Sequence, residues 1–160
     1  MSRMNKEVLL VGSIPGGSAR EAMLACAEGV GGNLSCLPDG ETGNRRIWIN
    51  FLAATVYDTN EAINTLNSPM PVDLEHPQEW RAKGEDWAPR GYEDHWLFKL
   101  RDRQHALSFP SLGYAEAGLA SYKTFCELRE AGKISADVRF IVAIPLVESA
   151  VRIFFSSGED

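Results

Sequence analysis

The sequence predicts an α/β fold in which helices alternate with the strands of a parallel sheet. Residues 8–11 form a continuous apolar run, which is typical of a strand buried on both faces, and a glycine-rich turn follows it. Residues 33–38 are the next predicted strand, and residues 138–144 have the β-branched character of a third. Because strand, turn and helix recur with short connections, we expect parallel βα units.

The helices of these units have recognisable ends. Ser18 and Glu21 have the S-x-x-E spacing of a capping box, which predicts the start of the first helix. Its predicted apolar face consists of Ala22, Met23, Cys26 and Val30. Apolar residues at helical spacing predict a second helix over residues 44–57. A third helix follows Gly113 and ends at Gly132, and residues 147–155 form a predicted last helix.

Residues 58–112 interrupt this regularity. The segment is rich in proline and holds all three histidines and three of the four tryptophans, which are Trp80, Trp87 and Trp96. We predict an inserted excursion within a single domain spanning residues 1–160. We expect it to be a loop with short helices around Trp80 and Trp96, because loops of this length are usually functional or disordered and tryptophans normally need burial.

Composition excludes several classes of function. The net charge is −6 and no basic stripe is present, so we expect no nucleic-acid partner. The longest apolar runs are too short to span a bilayer and the first residues show no secretory pattern, so we expect no membrane partner. The three cysteines are widely spaced and form no CxxC pair, which favours reduced thiols in a cytoplasmic protein.

The candidate functional stretch is residues 37–50, LPDGETGNRRIWIN. Its two acids, Asp39 and Glu41, follow a predicted strand, where α/β proteins place their chemistry. In the simpler interpretation, Asp39-Gly40 is only a turn and Glu41 only favours the start of a helix. That interpretation leaves both acids and the two following arginines as coincidence, so we favour a functional role.

The glycine-rich turn over residues 12–17 is a weaker candidate. It lacks the lysine of a nucleotide-triphosphate loop and the GxGxxG spacing of a dinucleotide site. Either the helix amides behind it bind an anion, or the turn only joins strand to helix. His76, His95 and His105 are too far apart in sequence for HExxH-type zinc ligation, and no GxSxG nucleophile motif occurs.

Four segments in order, VGSIP, PDGETGNR, YAEAGLASYKTF and VRFIVAIP, resemble the cobalamin-independent methionine synthase family. The closer resemblance is to the methionine-synthase-like branch of the uroporphyrinogen decarboxylase superfamily, and it covers residues 8–56 and 113–145. The resemblance implies a TIM-type (β/α) barrel. Such barrels take ~250 residues or more, so we expect a partial barrel made of the first βα units.

The resemblance also implies roles for individual residues. Gly12 and Ser13 are expected to meet the carboxylate of a small amino-acid or carboxylate ligand, and Glu41 its ammonium group. Asp39 is expected to orient the turn, and Arg45 to pair with Glu41 or with a substrate acid.

The family transfers a methyl group from a folate to homocysteine with the help of zinc. Its zinc ligands lie on later strands that no stretch here supplies. We therefore expect no cofactor or metal in this chain, and an inactive or incomplete methyltransferase that pairs with a second copy or with a complementing chain. The alternative is a non-catalytic interaction domain, a barrel fragment that pairs with itself or with another chain.

Overall fold

The computed structural model describes residues 7–47, 49–68, 96–102 and 107–155. The chain divides into two compact units, described separately below: Met1–Arg46 with Gly113–Ile144, and Ile47–Leu112 with Pro145–Asp160. In chain order the strands and α-helices are β1 (Val8–Leu9), α1 (Ala19–Val30), β2 (Leu34–Pro38), α2 (Asn50–Leu52), β3 (Ile63–Asn67), β4 (Leu97–Leu100), α3 (Tyr114–Glu130), β5 (Arg139–Ile141) and α4 (Val147–Arg152).

The first unit is a small parallel α/β structure, as the sequence predicts. Its sheet has the order β1-β2-β5, and both strand pairs are parallel. Helices α1 and α3 share one core cluster with β2, so both cover the same face of the sheet. The buried members of that cluster are Met23, Cys26, Leu34, Leu37, Phe125, Leu128, Ile134 and Val138. Helices on one face of a parallel sheet are the arrangement that α/β barrels use, and the described strands form an open sheet.

Local signals set the ends of both long helices. The Ser18 hydroxyl accepts a hydrogen bond from the Glu21 amide, at 3.2 Å, so Ser18 is the N-cap of α1. The Glu21 carboxylate accepts from the Gly17 amide at 2.8 Å, one residue earlier than a standard capping box provides. Gly132 follows α3 at φ 68°, and the Lys133 amide donates to the Leu128 carbonyl, as in a glycine-terminated helix.

The second unit is built on aromatic side chains. Strands β3 and β4 form an antiparallel pair, and the Phe98 amide of β4 donates to the Phe154 carbonyl at 2.7 Å. Tyr57 lies at the centre of the cluster, with ring centroids 5.6 Å from Phe98 and 5.3 Å from Phe155. The Tyr57 hydroxyl donates to the Ala150 carbonyl at 3.0 Å, which ties this segment to α4.

Two predicted strands are shorter and more exposed than expected. The run 8–11 is a strand only over Val8–Leu9, and the side chains of Leu9 and Val11 are 62% and 70% exposed. These exposed side chains show that burial on both faces was the wrong expectation. Among the described strands β1 pairs with β2 alone. The run 138–144 is a strand only over Arg139–Ile141, because β2 ends at Pro38, the partner of Ile141.

The prediction of one continuous α-helix over residues 44–57 was also wrong, because the segment is made of short turns of different helical types. The segment contains a 3-10 turn (Gly43–Ile47), the single turn α2 and a π-helical turn (Ala53–Tyr57), in which the Asp58 amide donates to the Ala53 carbonyl. Half of the predicted span is β-branched or aromatic, and such residues weaken an α-helix.

In the excursion, the expected helix around Trp96 is replaced by β4, which begins at the next residue. The expected helix around Trp80 lies outside the described residues. The last helix ends at Arg152, before Phe155, which forms a bridge with Phe98.

Candidate functional site

The ends of β1 and β2 are held together by the two loops that follow them. Ser13 and Gly40 form an isolated parallel bridge, and the Ile14 amide donates to the Gly40 carbonyl at 3.1 Å. The two candidate segments are distant in sequence, and the sheet brings them to one edge because β1 and β2 are parallel neighbours. The two candidate segments therefore meet at the carboxyl end of the sheet, where α/β proteins commonly bind ligands.

Ser13 and Glu41 form the direct link across this edge. The Ser13 hydroxyl donates a hydrogen bond to Oε2 of Glu41. Ser13 is exposed, whereas Glu41 is only partly accessible. A Cβ placed on Gly12 would lie 3.9 Å from the same Glu41 oxygen, so Gly12 lines the approach to the carboxylate without obstructing it.

The backbone of Glu41 is in an uncommon conformation. Its φ of 51° makes it the one non-glycine residue with positive φ among the described residues. A left-handed conformation costs a residue with a Cβ roughly 1–2 kcal/mol, and such strain is often found at functional sites. Asp39 helps to hold this conformation, because its Oδ1 accepts a hydrogen bond from the Glu41 amide at 3.2 Å.

A buried ion pair lies beneath the turn. Arg45 donates from Nη2 to Oδ2 of Asp39. Asp39 is completely buried and Arg45 is 7% exposed, yet Nε and Nη1 of Arg45 have no hydrogen-bond partner among the residues that the structure describes. Burying a charged donor without a partner is costly, so Arg45 has unused capacity to bind an acceptor.

Glycine is required at position 40 both by close packing and by the positive φ angle of its backbone. Its φ is 80°, and a Cβ placed there would lie 2.7 Å from the Ala22 side chain of α1 and 3.3 Å from that of Ile14. Ala22 and Ile14 thus set the position of the turn. Neither was among the predicted site residues, and no local sequence signal identifies them, because their role follows from the packing of α1 against β2.

The structure brings together all five predicted site residues, which are Gly12, Ser13, Asp39, Glu41 and Arg45. Asp39 accepts a hydrogen bond from the Glu41 amide within the turn. The expected pairing of Arg45 with Glu41 is not present, because Arg45 pairs with Asp39 instead. The role of these five residues in ligand binding stays a prediction.

The glycine-rich turn before α1 offers less to an anion than expected. The Gly17 amide is bound to the Glu21 carboxylate and the Glu21 amide to the Ser18 hydroxyl. These donors at the start of α1 are occupied by side chains of the same chain, which favours the simpler interpretation of a connecting turn.

The described residues do not provide a site that fits zinc. No group of three histidine, cysteine, aspartate or glutamate side chains within residues 7–47, 49–68, 96–102 and 107–155 could hold a metal ion. Cys26 and Cys36 are buried, and burial raises the pKa of the Cys26 thiol. His76, His95 and His105 lie outside the part of the chain that the structure describes.

Other features of the described residues add no competing site. A depression of about 370 Å³ lies at the opposite end of the sheet, near the starts of β2 and β5, with Glu7, Asn33, Asp137 and Arg139 among its lining residues. None of the described helices has the length and apolar character that crossing a bilayer demands.

Comparisons with protein-family models, with curated proteins and with solved structures found no match. The family resemblance therefore rests on the sequence motifs alone, and the geometry of the strand ends stands independently of it.

Proposed function

We propose that this protein binds a small amino-acid or carboxylate ligand at the carboxyl ends of β1 and β2, in the manner of methionine-synthase-like proteins. The observation that carries the proposal is the pairing of Ser13 with Glu41, a residue held in a left-handed conformation. A carboxylate held in one orientation at the carboxyl ends of parallel strands is suited to bind a ligand cation.

One oxygen of Glu41 is free to receive that cation. Oε2 accepts from the Ser13 hydroxyl, whereas Oε1 has no hydrogen-bond partner among the described residues. A ligand ammonium group at Oε1 forms a charge-assisted hydrogen bond, which is worth about 1.5–3 kcal/mol. The Ser13 bond fixes the orientation of the carboxylate, so less conformational entropy is lost when the ligand binds.

Methyl transfer is the chemistry that the family resemblance suggests, and we propose that this chain is inactive or incomplete for it. The zinc that activates the homocysteine thiol in that family needs three protein ligands, and the described residues supply no such group. A complementing chain with later βα units and a Cys/His/Glu set is therefore part of this proposal. A neighbouring coding sequence for such a chain favours a split enzyme, and its absence favours binding alone.

The direct test is ligand binding by thermal shift and calorimetry with homocysteine, methionine and a folate. We expect the first two to raise the melting temperature of the wild-type protein and to lose affinity in Glu41→Gln. A wild-type protein that binds neither amino acid contradicts the proposal.

A second candidate function is a non-catalytic interaction domain, and the exposed apolar residues of the first unit favour it. Leu9 lies at the end of β1 and Val11 just after it, on one edge of the sheet, whereas Val142 and Ile144 come just after β5, the strand on the other edge. Among the described strands, β1 and β5 each have one partner, and unpaired sheet edges readily pair with other chains. We expect self-association, most simply as a dimer.

Light scattering at micromolar concentration tests this second function. A dimer that dissociates in Ile144→Lys supports pairing through the β5 edge. A wild-type monomer with a cooperative melt contradicts self-association and leaves the ligand-binding proposal intact.

A further inference from the structure

We infer that Arg45 is the carboxylate-recognition group of this site, so that the ligand is an α-amino acid held by its ammonium group at Glu41 and by its carboxylate at Arg45. The inference rests on the proposed function and changes one of its expectations, because the family resemblance assigned the carboxylate to Gly12 and Ser13.

The first argument is the unused hydrogen-bonding capacity of Arg45. A guanidinium group has five N–H donors and commonly binds a carboxylate through two parallel hydrogen bonds. Here Asp39 takes only Nη2, because its other oxygen accepts from the Glu41 amide. Nε and Nη1 are buried, because Arg45 is only 7% exposed, and neither has a hydrogen-bond partner in the described part of the chain. A ligand oxyanion would satisfy these donors.

The second argument is that three competing donors are occupied. The Ser13 hydroxyl proton is donated to Glu41 and is not available to a ligand carboxylate. The Gly17 and Glu21 amides at the start of α1 are bound within the chain. Among the polar groups predicted to line the carboxyl end of the sheet, Arg45 has charged N–H donors that no described residue accepts.

The third argument concerns access. Both free nitrogens are buried, so an oxyanion reaches them only when the turn between Asp39 and Arg45 shifts. Gly43 lies within that turn at φ 68°, and a Cβ placed there would meet nothing within 4 Å. The side of the turn at Gly43 is therefore unpacked, whereas the Gly40 side is held against Ala22 and Ile14, so the shift is confined to the residues after Glu41. An anion bound there would lie where water competes weakly.

The test uses three probes and calorimetry. The probes are methionine, the amine obtained by removing its carboxylate, and the acid obtained by removing its amino group. The variant is Asp39→Asn with Arg45→Gln, which removes both buried charges together and keeps an oxygen for the Glu41 amide. Arg46→Gln is the matched control, because Arg46 is the exposed neighbour of Arg45.

We expect the double variant to bind methionine and the acid about ten- to a hundredfold more weakly, as expected for loss of a charge-assisted hydrogen bond. The affinity of the double variant for the amine is expected to differ from that of the wild type by less than about twofold, which is the uncertainty of such a comparison. Arg46→Gln is expected to bind all three probes as the wild type does.

Each other outcome overturns the inference in a distinguishable way. If the acid binds wild type and double variant equally, or binds neither, Arg45 does not recognise a carboxylate. If the amine weakens as much as the acid, Arg45 acts by holding Glu41 in place. If the wild type binds none of the probes, the proposed function fails and the inference fails with it.

Discussion

Ser13 and Glu41 lie at the carboxyl ends of two neighbouring parallel strands, and the Ser13 hydroxyl donates a hydrogen bond to the Glu41 carboxylate. The bond spans residues far apart in sequence and joins the two loops that we propose bind the ligand. It fixes the direction of a carboxylate whose backbone is strained at φ 51°. Backbone strain of this kind clusters at functional sites, so the strained Glu41 and its bond to Ser13 support the proposed ligand-binding role.

Replacing Glu41 separates its ligand role from its structural role. Glu41→Gln keeps the shape and removes the charge, so we expect ligand affinity to fall about ten- to a hundredfold. Glu41→Gly relieves the left-handed strain, so we expect it to abolish binding while raising the free energy of unfolding by up to about 1 kcal/mol. Calorimetry and urea denaturation measure the two effects. Unchanged binding with a large loss of stability in Glu41→Gln would make Glu41 structural.

The packing of Gly40 predicts that alanine substitution destabilises the protein more at position 40 than at position 43 of the same turn. Gly40→Ala adds a methyl group 2.7 Å from the Ala22 side chain at φ 80°. We expect it to cost about 2–4 kcal/mol from strain and overpacking combined. Gly43→Ala has a similar φ of 68° but open space around it, so we expect only about 1–2 kcal/mol. Equal losses in urea denaturation would show that Ala22 does not constrain the turn.

The buried pair of Asp39 and Arg45 is expected to behave cooperatively in a double-mutant cycle. Either single change, Asp39→Asn or Arg45→Gln, leaves its partner's charge buried, so we expect about 3–5 kcal/mol of destabilisation. The double change removes both charges and should recover much of that loss, which urea denaturation of all four proteins measures. Additive losses in the double variant would mean that the two side chains contribute independently.

The fold was predictable from the sequence where the determining signals are local. Ser18 caps α1 and Gly132 ends α3 as predicted, because capping depends on residues within one turn of the helix end. The hairpin of β3 and β4 was missed because its strands are far apart in sequence. Only Ile63 of β3 and Phe98 of β4 are buried, so neither strand shows an alternating pattern.

The site was predictable as a group of residues, but its internal bonding was not. Asp39 and Glu41 were identified from their place after a strand, and Gly12 and Ser13 from a resemblance. Which acid pairs with Arg45 depends on the left-handed turn at Gly40 and Glu41, and that turn depends on Ala22 packing beneath it. Such a contact between distant residues has no signature in a single sequence.

We expect the purified chain to contain well below one zinc ion per molecule. Zinc binds the thiolate form of cysteine, and burial raises the pKa of the Cys26 thiol, which disfavours that form at neutral pH. Plasma emission analysis of protein purified without a polyhistidine tag or a chelator provides the measurement. Near-stoichiometric zinc that is lost in Cys36→Ser would contradict this expectation and require Cys36 to face a metal.

Tyr57 predicts how the stability of the second unit depends on alkaline pH. Burial raises the pKa of Tyr57 above its usual value of about 10, and the neutral hydroxyl donates to the Ala150 carbonyl at 3.0 Å. The folded state therefore favours the protonated phenol. Its stabilising contribution is complete below the unfolded-state pKa and is lost as the pH rises through the higher folded-state pKa.

We therefore expect the free energy of unfolding to decline above about pH 10. Tyr57→Phe is the matched variant, because it keeps the ring contacts with Phe98 and Phe155 and removes the ionisable hydroxyl. It should cost about 1 kcal/mol at neutral pH through the lost hydrogen bond, and its stability should decline less steeply at high pH. Urea denaturation at several alkaline pH values measures both slopes, and parallel slopes would show that Tyr57 does not couple its ionisation to folding.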